Sequence, residues 1–554
     1  MPRVITPSAA SKALAESVAK AKSCKTLPNL AVDALAGTGK TTTIVEAVRI
    51  LKGEKSKLKP SPQQRAIWDE ICRSPKDSTV GMTSFGKAIA DELGERMPKV
   101  DGVFASTNHA FGNRAIKASF DSVFMDKRML GDWILGMTGL EFGDFAKTYP
   151  GLFGLAKKII SLSKSELLGF DGNELLAQNS PKWGTLIQQL CEHHAIEFER
   201  EGYFGMIAEW VPTILHKSIS VMAKLGKYTM DDMIWVPVVM KLNIPKSDVL
   251  IIDEYQDLNR AQQELMMQAG RRIIVVGDPN QAIYGFAGAD TDSVPRMKKF
   301  LGDKGGLITL PLTMTYRCGK AIVQEAKVYI DSDFQAHESN AEGQVLRMSY
   351  KPTTSTTEPY YLDHVKEGDR ILCRINAPLV GQFFRLLIKN IKCKILGKNI
   401  GEQLITLIRM MKATTIPELL GSLEKWRDDQ IDAESGKKIP NESRIEMFRD
   451  QYICVETIVE EKDLKSIDEL TDYIATMFTD DDEKEMVLLS SVHKAKGLEA
   501  DNVFILKPKG AELPSGRAKR EWQKRQEFNL AYVAVTRAKS KLVYVLDGTD
   551  KKSK

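Results

Sequence analysis

Long hydrophobic runs are missing from this 554-residue chain. No stretch approaches the roughly 20 apolar residues that a membrane helix needs, and the opening MPRVITPSAASKALAES lacks the apolar core of a signal peptide. A cytoplasmic protein without a membrane partner is the expectation. Cysteine is sparse and scattered: the seven, at 24, 72, 191, 318, 373, 393 and 454, form no C-x-x-C pair, which argues against a disulfide framework or a zinc ribbon. CEHH at 191–194 has ligating residue types, but no partner pair lies near it, so no metal site is expected there. Neither sign of charge dominates. The 78 basic and 73 acidic residues leave a formal +5, too little to indicate nucleic acid, and the placement of charge matters more than its total. Repeats and low-complexity tracts are absent, which excludes a repeat array.

What is present reads as a soluble globular protein, 43% hydrophobic and 27% charged. The length exceeds what one core supports and suggests roughly three or four domains. Strand-like apolar runs followed by glycine or acid occur at 31–36, 249–252, 273–276, 371–372, 487–489 and 503–506, a spacing that predicts two α/β sheets. From about 111 to 245 the chain reads as helical, with aromatics and leucines at three-to-four spacing in WILGMTGLEFGDF and WGTLIQQLCEHHAIEF. A second helical stretch, about 401 to 483, carries the charge runs EEKDLK and DDDEKE, read as solvated helix faces. Both stretches read as insertions into the sheet domains.

Two segments carry chemistry. ALAGTGKTTT (34–43) fits A/G-x-x-x-x-G-K-T between the apolar NLAVDAL and the helical IVEAVRIL. That is the strand-loop-helix setting in which glycines turn successive N–H groups toward phosphate oxygens and the helix adds its positive end. Ala36, Gly37, Thr38, Gly39, Lys40, Thr41 and Thr42 are the candidate nucleotide-binding residues, with Lys40 reaching the β and γ phosphates and Thr41 holding magnesium. VLIIDEYQDL (249–258) runs a buried parallel strand straight into acids, at the edge of an α/β sheet where ligands bind. Asp253 is the candidate second magnesium ligand and Glu254 the candidate base for an attacking water. The bland alternative makes both ordinary acids at a helix start. Asp257 is expected to cap the following helix or to contact neighbouring loops.

With IIVVGDPNQAIYGFAGAD (273–290) the chain resembles the UvrD/PcrA/Rep group of superfamily 1 helicases. TSFGKAIADEL (83–93), STNHAFG (106–112), LTMTYRCGKAI (312–322), LLSSVHKAKGLEADNVFIL (488–506) and EFNLAYVAVTRAKSKL (527–542) resemble that group's motifs Ia, Ib, IV, V and VI, in order. The resemblance implies two RecA-like P-loop domains of α/β class with parallel sheets, each carrying a mainly helical insertion. Domain 1A would take 1–110 and 246–310, 1B 111–245, 2A 311–400 and 484–554, and a small 2B 401–483. It also implies an ATP- and Mg2+-dependent motor on single-stranded DNA and single-strand/duplex junctions, moving 3′ to 5′ and unwinding. Gln281 would sense the γ-phosphate, Tyr316 stack on adenine, Glu499 bind the ribose, and Arg317 and Arg537 approach the γ-phosphate from the second RecA-like domain. For the strand it points to Thr83, Phe85, Thr107, His109, Phe111, Tyr284, Phe286 and His493. Core packing is the alternative fate of each aromatic.

Three departures stand out. Phe286 replaces the group's usual tryptophan, and Phe85 sits one position closer to its lysine than usual, which leaves the contacts of Ser84 and Phe85 open. The glutamine that reads adenine normally precedes the P-loop, whereas PSPQQRAIWDEI (60–71) follows it. Gln64 could fold back onto the adenine, or belong to a surface helix with Trp68 on its buried side. GRAKREWQKR (516–525) could track a phosphate backbone through Arg517, Lys519, Arg520, Lys524 and Arg525, or be a solvated loop. Ending soon after the sixth motif, the chain is expected to carry no nuclease domain.

Overall fold

The computed structural model describes residues 27–56, 58–84, 86–194, 196, 198, 200–285, 293–353, 359–435, 442–462, 464–479, 485–518 and 520–547. Contacts divide the chain into two units, Met1–Leu35 with Gly39–Leu312 and Ala36–Thr38 with Thr313–Lys554. Among the described residues, the first unit carries β1 (Asn29–Ala34), β2 (Val80–Ser84), β3 (Val103–Thr107), β4 (Phe124–Met125), β5 (Lys227–Tyr228), β6 (Ser247–Asp253), β7 (Gly270–Gly277) and β8 (Leu307–Leu312). Six of them form a parallel sheet in the order β3-β2-β6-β7-β1-β8, and β4 pairs with β5 apart from it.

The unbroken apolar runs of the central strands follow from burial on both faces. Leu250 and Ile252 of β6 join Ile273 and Val275 of β7 in one core, while Val249 and Ile251 join Ile274 and Val276 in another. The first core continues through Phe111, Trp133, Ile159, Trp210 and Trp235, so the helices between β3 and β6 share it with the sheet. Inside those helices Lys164 and Asp232 form an ion pair of 2.7 Å with both side chains 1% exposed. Ser218 Oγ accepts from the same ammonium at 3.0 Å, and Asp232 also accepts from the Thr229 amide and hydroxyl. Arg272 is fully buried on β7 and donates to Pro28 O, Glu70 O and Oε1, and Ser74 Oγ, which ties the sheet to the helix Pro62–Ile71.

The second unit carries β9 (Met314–Thr315), β10 (Gln335–Ala336), β11 (Gln344–Ser349), β12 (Arg370–Cys373), β13 (Cys393–Leu396), β14 (Phe478–Thr479), β15 (Val487–Ser491), β16 (Ala500–Lys507) and β17 (Ala538–Leu546). Seven of these form a second parallel sheet, β11-β17-β16-β12-β15-β13-β14, beside a small β9/β10 pair. Between β13 and β14 run the helices Lys398–Met410, Ile416–Ser435, Glu442–Glu461 and Ile467–Met477. Their Leu404, Leu419, Val455 and Ile474 belong to the same core as Ile371, Leu489 and Phe504 of the sheet. Asp450, on the third of them, also accepts from the backbone N–H groups of Asn376 and Ala377 at the start of the helix Ala377–Ile388.

Each unit is thus a parallel α/β layer of RecA-like type with a mainly helical insertion. The strands differ from the sequence expectation: β1 ends at Ala34 rather than at 36, and β8, which is not among the expected strands, runs to Leu312 across the expected 1A bound at 310. Among the described residues no helix is long and apolar enough to cross a membrane.

Candidate active site

In the first unit the carboxyl ends of β1, β7 and β6, neighbours in the sheet, bring together Lys40, Thr41 and three acids. The loop after β1 turns through left-handed backbone at Gly37 (φ 70°) and Gly39 (φ 79°), and Gly39 is the N-cap of the helix Lys40–Leu51. Thr38 is buried in that loop and Ala36 with it; Thr41 and Thr42 lie in the first helical turn, where Thr42 Oγ1 accepts from Arg96 at 3.1 Å. Lys40 Nζ lies 2.9 Å from Glu254 Oε1. Asp253 closes β6, and Asp278 follows β7 with both its oxygens engaged, by the Asn280 amide at 3.0 Å and by Gln281 Nε2 at 2.8 Å.

Burial would lower the Lys40 pKa, but Glu254, Asp253 and Asp278 outweigh it and hold the ammonium above its ordinary value. The acids respond in the opposite sense. Burial, then the charge of Glu254, pushes Asp253 up, and burial pushes Asp278 up against the pull of Lys40. Three carboxyls thus stand near one ammonium, with Arg96 also acting on Asp253.

The turn holding Glu254 is built with care. Its backbone is left-handed (φ 51°), a conformation unusual for a residue with a side chain. The fully buried Tyr255 donates to Asp33 Oδ1 at 2.9 Å, fixing the turn to β1. Gln256, also fully buried, donates to Glu254 Oε2 and accepts from the Asp278 amide at 3.1 Å. Gln256 and Asp278 were not among the candidates read from the sequence. Asp278 had a legible signal, because VVGD runs from strand to acid as LIID does; the bridging role of Gln256 had none. Asp257 does not cap the next helix: Asn259 does, in a capping box with Gln262, because the cap must lie at the helix boundary and Asp257 sits three residues before Arg260 in a buried 3-10 turn. Gln64 lies against the P-loop helix rather than on an open surface, with Nε2 3.1 Å from Thr43 Oγ1, and Trp68 is buried as expected.

In the second unit Tyr316 is 44% exposed and its ring packs against His337, with centroids 4.8 Å apart and the planes tilted by 33°. Arg317 is ion-paired with Glu499, which Lys539 also holds at 2.9 Å. Burial works to raise the Glu499 pKa, but Arg317 and Lys539 outweigh it and hold the carboxyl below its usual range. Arg537 is buried and committed to Val533 O at 3.0 Å, Leu498 O at 3.1 Å and Thr536 Oγ1 at 3.3 Å. Burial, then the nearby Arg317, lowers its pKa to about 10.

The strand candidates divide. Thr83 is fully buried and donates its hydroxyl to Asn108, and Phe111 is 2% exposed, packed on Phe104 beneath the Arg114 guanidinium. Both are core residues, which corrects the expectation that they face a strand: Thr83 sits within the central sheet and Phe111 on the buried face of its helix. Thr107 caps that helix by accepting from the Ala110 amide at 3.2 Å. His109 and Tyr284 are half-buried; burial lowers the pKa of the first, and burial with the charges of Asp257 and Glu254 lifts the second to about 12. His493 is half-buried after β15, its pKa lowered to about 3 by burial and the Arg374 cation. Phe85, Phe286 and Lys519 lie outside the described residues. Arg517, Lys524 and Arg525 are exposed, and Arg520 stands at the N-cap of the helix Glu521–Val535.

Residues 18–287 match the family model of an AAA domain, and residues 402–547 that of the UvrD-like helicase C-terminal domain. The chain is 25% identical over 320 residues to F-box DNA helicase protein 1 of Schizosaccharomyces pombe, covering 54% of this chain and 34% of that protein. It is 24% identical over 314 residues to ATP-dependent DNA helicase PcrA of Bacillus subtilis, covering 54% and 37%. A shorter match, 30% over 132 residues, is to DNA helicase II of Rickettsia typhi, covering 23% and 20%. The chain therefore spans about a third of the length of the first two relatives.

Proposed function

The chain belongs to the UvrD/PcrA-like group of superfamily 1 helicases, and from that premise we propose that it is an ATP-driven motor that moves 3′ to 5′ along single-stranded DNA and separates duplex ahead of it. The observation that carries this reading is the Lys40–Glu254 pair, set among Asp253, Asp278 and Gln281 at the sheet edge. Lys40 exchanges Glu254 for the β and γ phosphates of ATP, and Glu254, so released, takes the proton of the attacking water. Thr41 and Asp253 would hold magnesium, which would supply charge neutralisation on the phosphates. Magnesium needs only one or two protein ligands beside phosphate and water.

Gln281 senses the γ-phosphate, Tyr316 stacks on the adenine, and Glu499 takes the ribose. Arg317 and Arg537 stabilise charge on the leaving phosphoryl group, because a planar guanidinium fork matches phosphate oxygens. Arg317 must leave Glu499 and a 3.5 Å bond to Thr536 O, whereas Arg537 must exchange three bonds with its own unit. In the first unit Tyr284, His109 and Thr107 contact the strand, and in the second His493 does; Phe85 and Phe286 are candidates by residue type, since an aromatic face stacks on bases without reading sequence. Domains 1A, 1B, 2A and a small 2B follow the bounds read from the sequence, with 1A extended to Leu312 so that β8 stays whole, and the protein works in the cytoplasm.

A second reading is an ATPase that moves along single strands or strips proteins from them with little unwinding. The helices between β13 and β14, which share a core with their sheet instead of forming a separate body, favour it. Strand displacement with ATP on 3′-tailed, 5′-tailed and blunt duplexes tests both. Unwinding of the 3′-tailed duplex alone supports the helicase; DNA-stimulated hydrolysis without displacement selects the second reading.

A further inference from the structure

The turn that carries Tyr316 and Arg317 is held by a segment that neither family model covers. Residues 335–343 wrap around it. β10 pairs with β9, Gln335 against Met314 and Ala336 against Thr315, and the His337 amide donates to Thr315 O at 3.0 Å. Asn340 then spans the turn: its Nδ2 donates to Thr315 O and to Cys318 O, both at 2.9 Å, which joins the carbonyls on either side of Tyr316 and Arg317. The first amides of the helix Lys320–Ala326 are capped from the same segment, Lys320 by Ala341 O at 3.0 Å and Ala321 by Glu342 O at 2.8 Å. The two stretches run so close that a Cβ on Gly319 would stand 2.8 Å from Gly343 Cα.

On this frame the His337 ring covers one face of Tyr316, at 4.8 Å and a tilt of 33°. The imidazole is itself fixed. Its Nδ1 accepts from the Ser339 amide at 3.2 Å and lies 2.7 Å from the Ser339 hydroxyl, so the neutral ring carries its proton on Nε2. Tyr316 nevertheless remains 44% exposed, which leaves ring surface for a ligand.

We propose that His337 and Asn340 are positioning residues for the nucleotide: His337 backs the Tyr316 ring so that its free face is a rigid platform for the purine, and Asn340 fixes the turn that aims Tyr316 and Arg317. The proposal rests on the ATP-binding reading of Tyr316. A free tyrosine ring loses rotational freedom when a base stacks on it; a ring already held by a second aromatic has less to lose, and part of the binding free energy is no longer spent on ordering.

The test measures KM and kcat for ATP at saturating single-stranded DNA, together with the inhibition constant of inorganic tripolyphosphate, which has phosphates but no base. His337→Ala raises KM for ATP about two- to tenfold, the range of one aromatic pair, with kcat and the tripolyphosphate constant unchanged. His337→Phe keeps the stack and restores KM. Asn340→Ala loosens the whole turn, so it lowers kcat as well as raising KM. An unchanged KM in His337→Ala, or equal weakening of ATP and tripolyphosphate, overturns the platform while leaving the ATPase reading intact. A wild-type protein that neither binds nor hydrolyses ATP overturns both.

Discussion

Glu254 bears two duties that conflict. It neutralises Lys40 when no phosphate is there, and in the proposed mechanism it must be free to take a proton when phosphate is bound. Glu254→Gln separates them: the amide keeps the shape, loses the charge, and no longer competes with phosphate for Lys40. ATP should bind at least as tightly as in the wild type, while turnover falls by about 10²–10⁴, the contribution of a general base. Turnover within a factor of two of wild type would remove Glu254 from that role. The two arginines differ in the same residue-level way. Arg317→Ala and Arg537→Ala should each depress DNA-stimulated hydrolysis strongly, by up to about 10³–10⁵ if the group acts as an arginine finger. Only Arg537→Ala should also lower the melting temperature, because it removes the guanidinium donor to Leu498 O and one of the two donors to the buried Val533 O, the Thr536 hydroxyl being the other. Arg537→Lys should rescue poorly, since an ammonium cannot present the planar fork. Equal melting temperatures for the two alanine variants would count against the structural part of this contrast.

At the scale of elements, the legible strands were those buried on both faces. β1, β6, β7, β12, β15 and β16 show as apolar runs because each lies inside its parallel sheet. β3, VFAST, and β8, LITLPL, escaped because edge strands are half-exposed and carry polar residues or proline. β2 is central but reads VGMTS, and β17 opens on the polar AKSK although it lies between β11 and β16. Most of the ATP-site candidates were legible because phosphate chemistry demands particular residue types at fixed spacing. The buried fates of Thr83 and Phe111 were not, since an aromatic or hydroxyl next to a motif gives no sign of which way it points. Nor was the charged core of the first insertion, Lys164 with Asp232. Removing one partner there leaves a buried charge unpaired, so Lys164→Met should cost about 3–5 kcal/mol in chemical denaturation, whereas Lys164→Met with Asp232→Leu should recover much of the loss. If the double variant is as unstable as the sum of the singles, the pair is not the source of the cost.

At the scale of the whole molecule, a motor must let strand binding alter the rate of hydrolysis, and the first unit contains a short route for it. β7 ends at Gly277; Asp278 meets Gln256 and Gln281, and three residues later comes Tyr284. The Tyr284 phenol already feels the charges of Asp257 and Glu254, which together with burial hold its pKa near 12. A base stacked on Tyr284 would therefore press on the loop that contains Gln281 and reach the field of the proposed catalytic carboxylate. Single-stranded DNA should accelerate hydrolysis in the wild type, Tyr284→Phe should keep most of that acceleration because the ring face remains, and Tyr284→Ala should lose most of it with the DNA-free rate nearly unchanged. The loss expected for one base stack is roughly 1–3 kcal/mol in DNA affinity. The titration belongs at low salt, because phosphate contacts weaken steeply as salt rises, and at saturating oligonucleotide, so that weaker binding is not mistaken for weaker coupling. If Tyr284→Ala at saturation is stimulated as strongly as the wild type, the signal does not pass through this loop; if the wild type shows no stimulation at all, the motor reading fails with it.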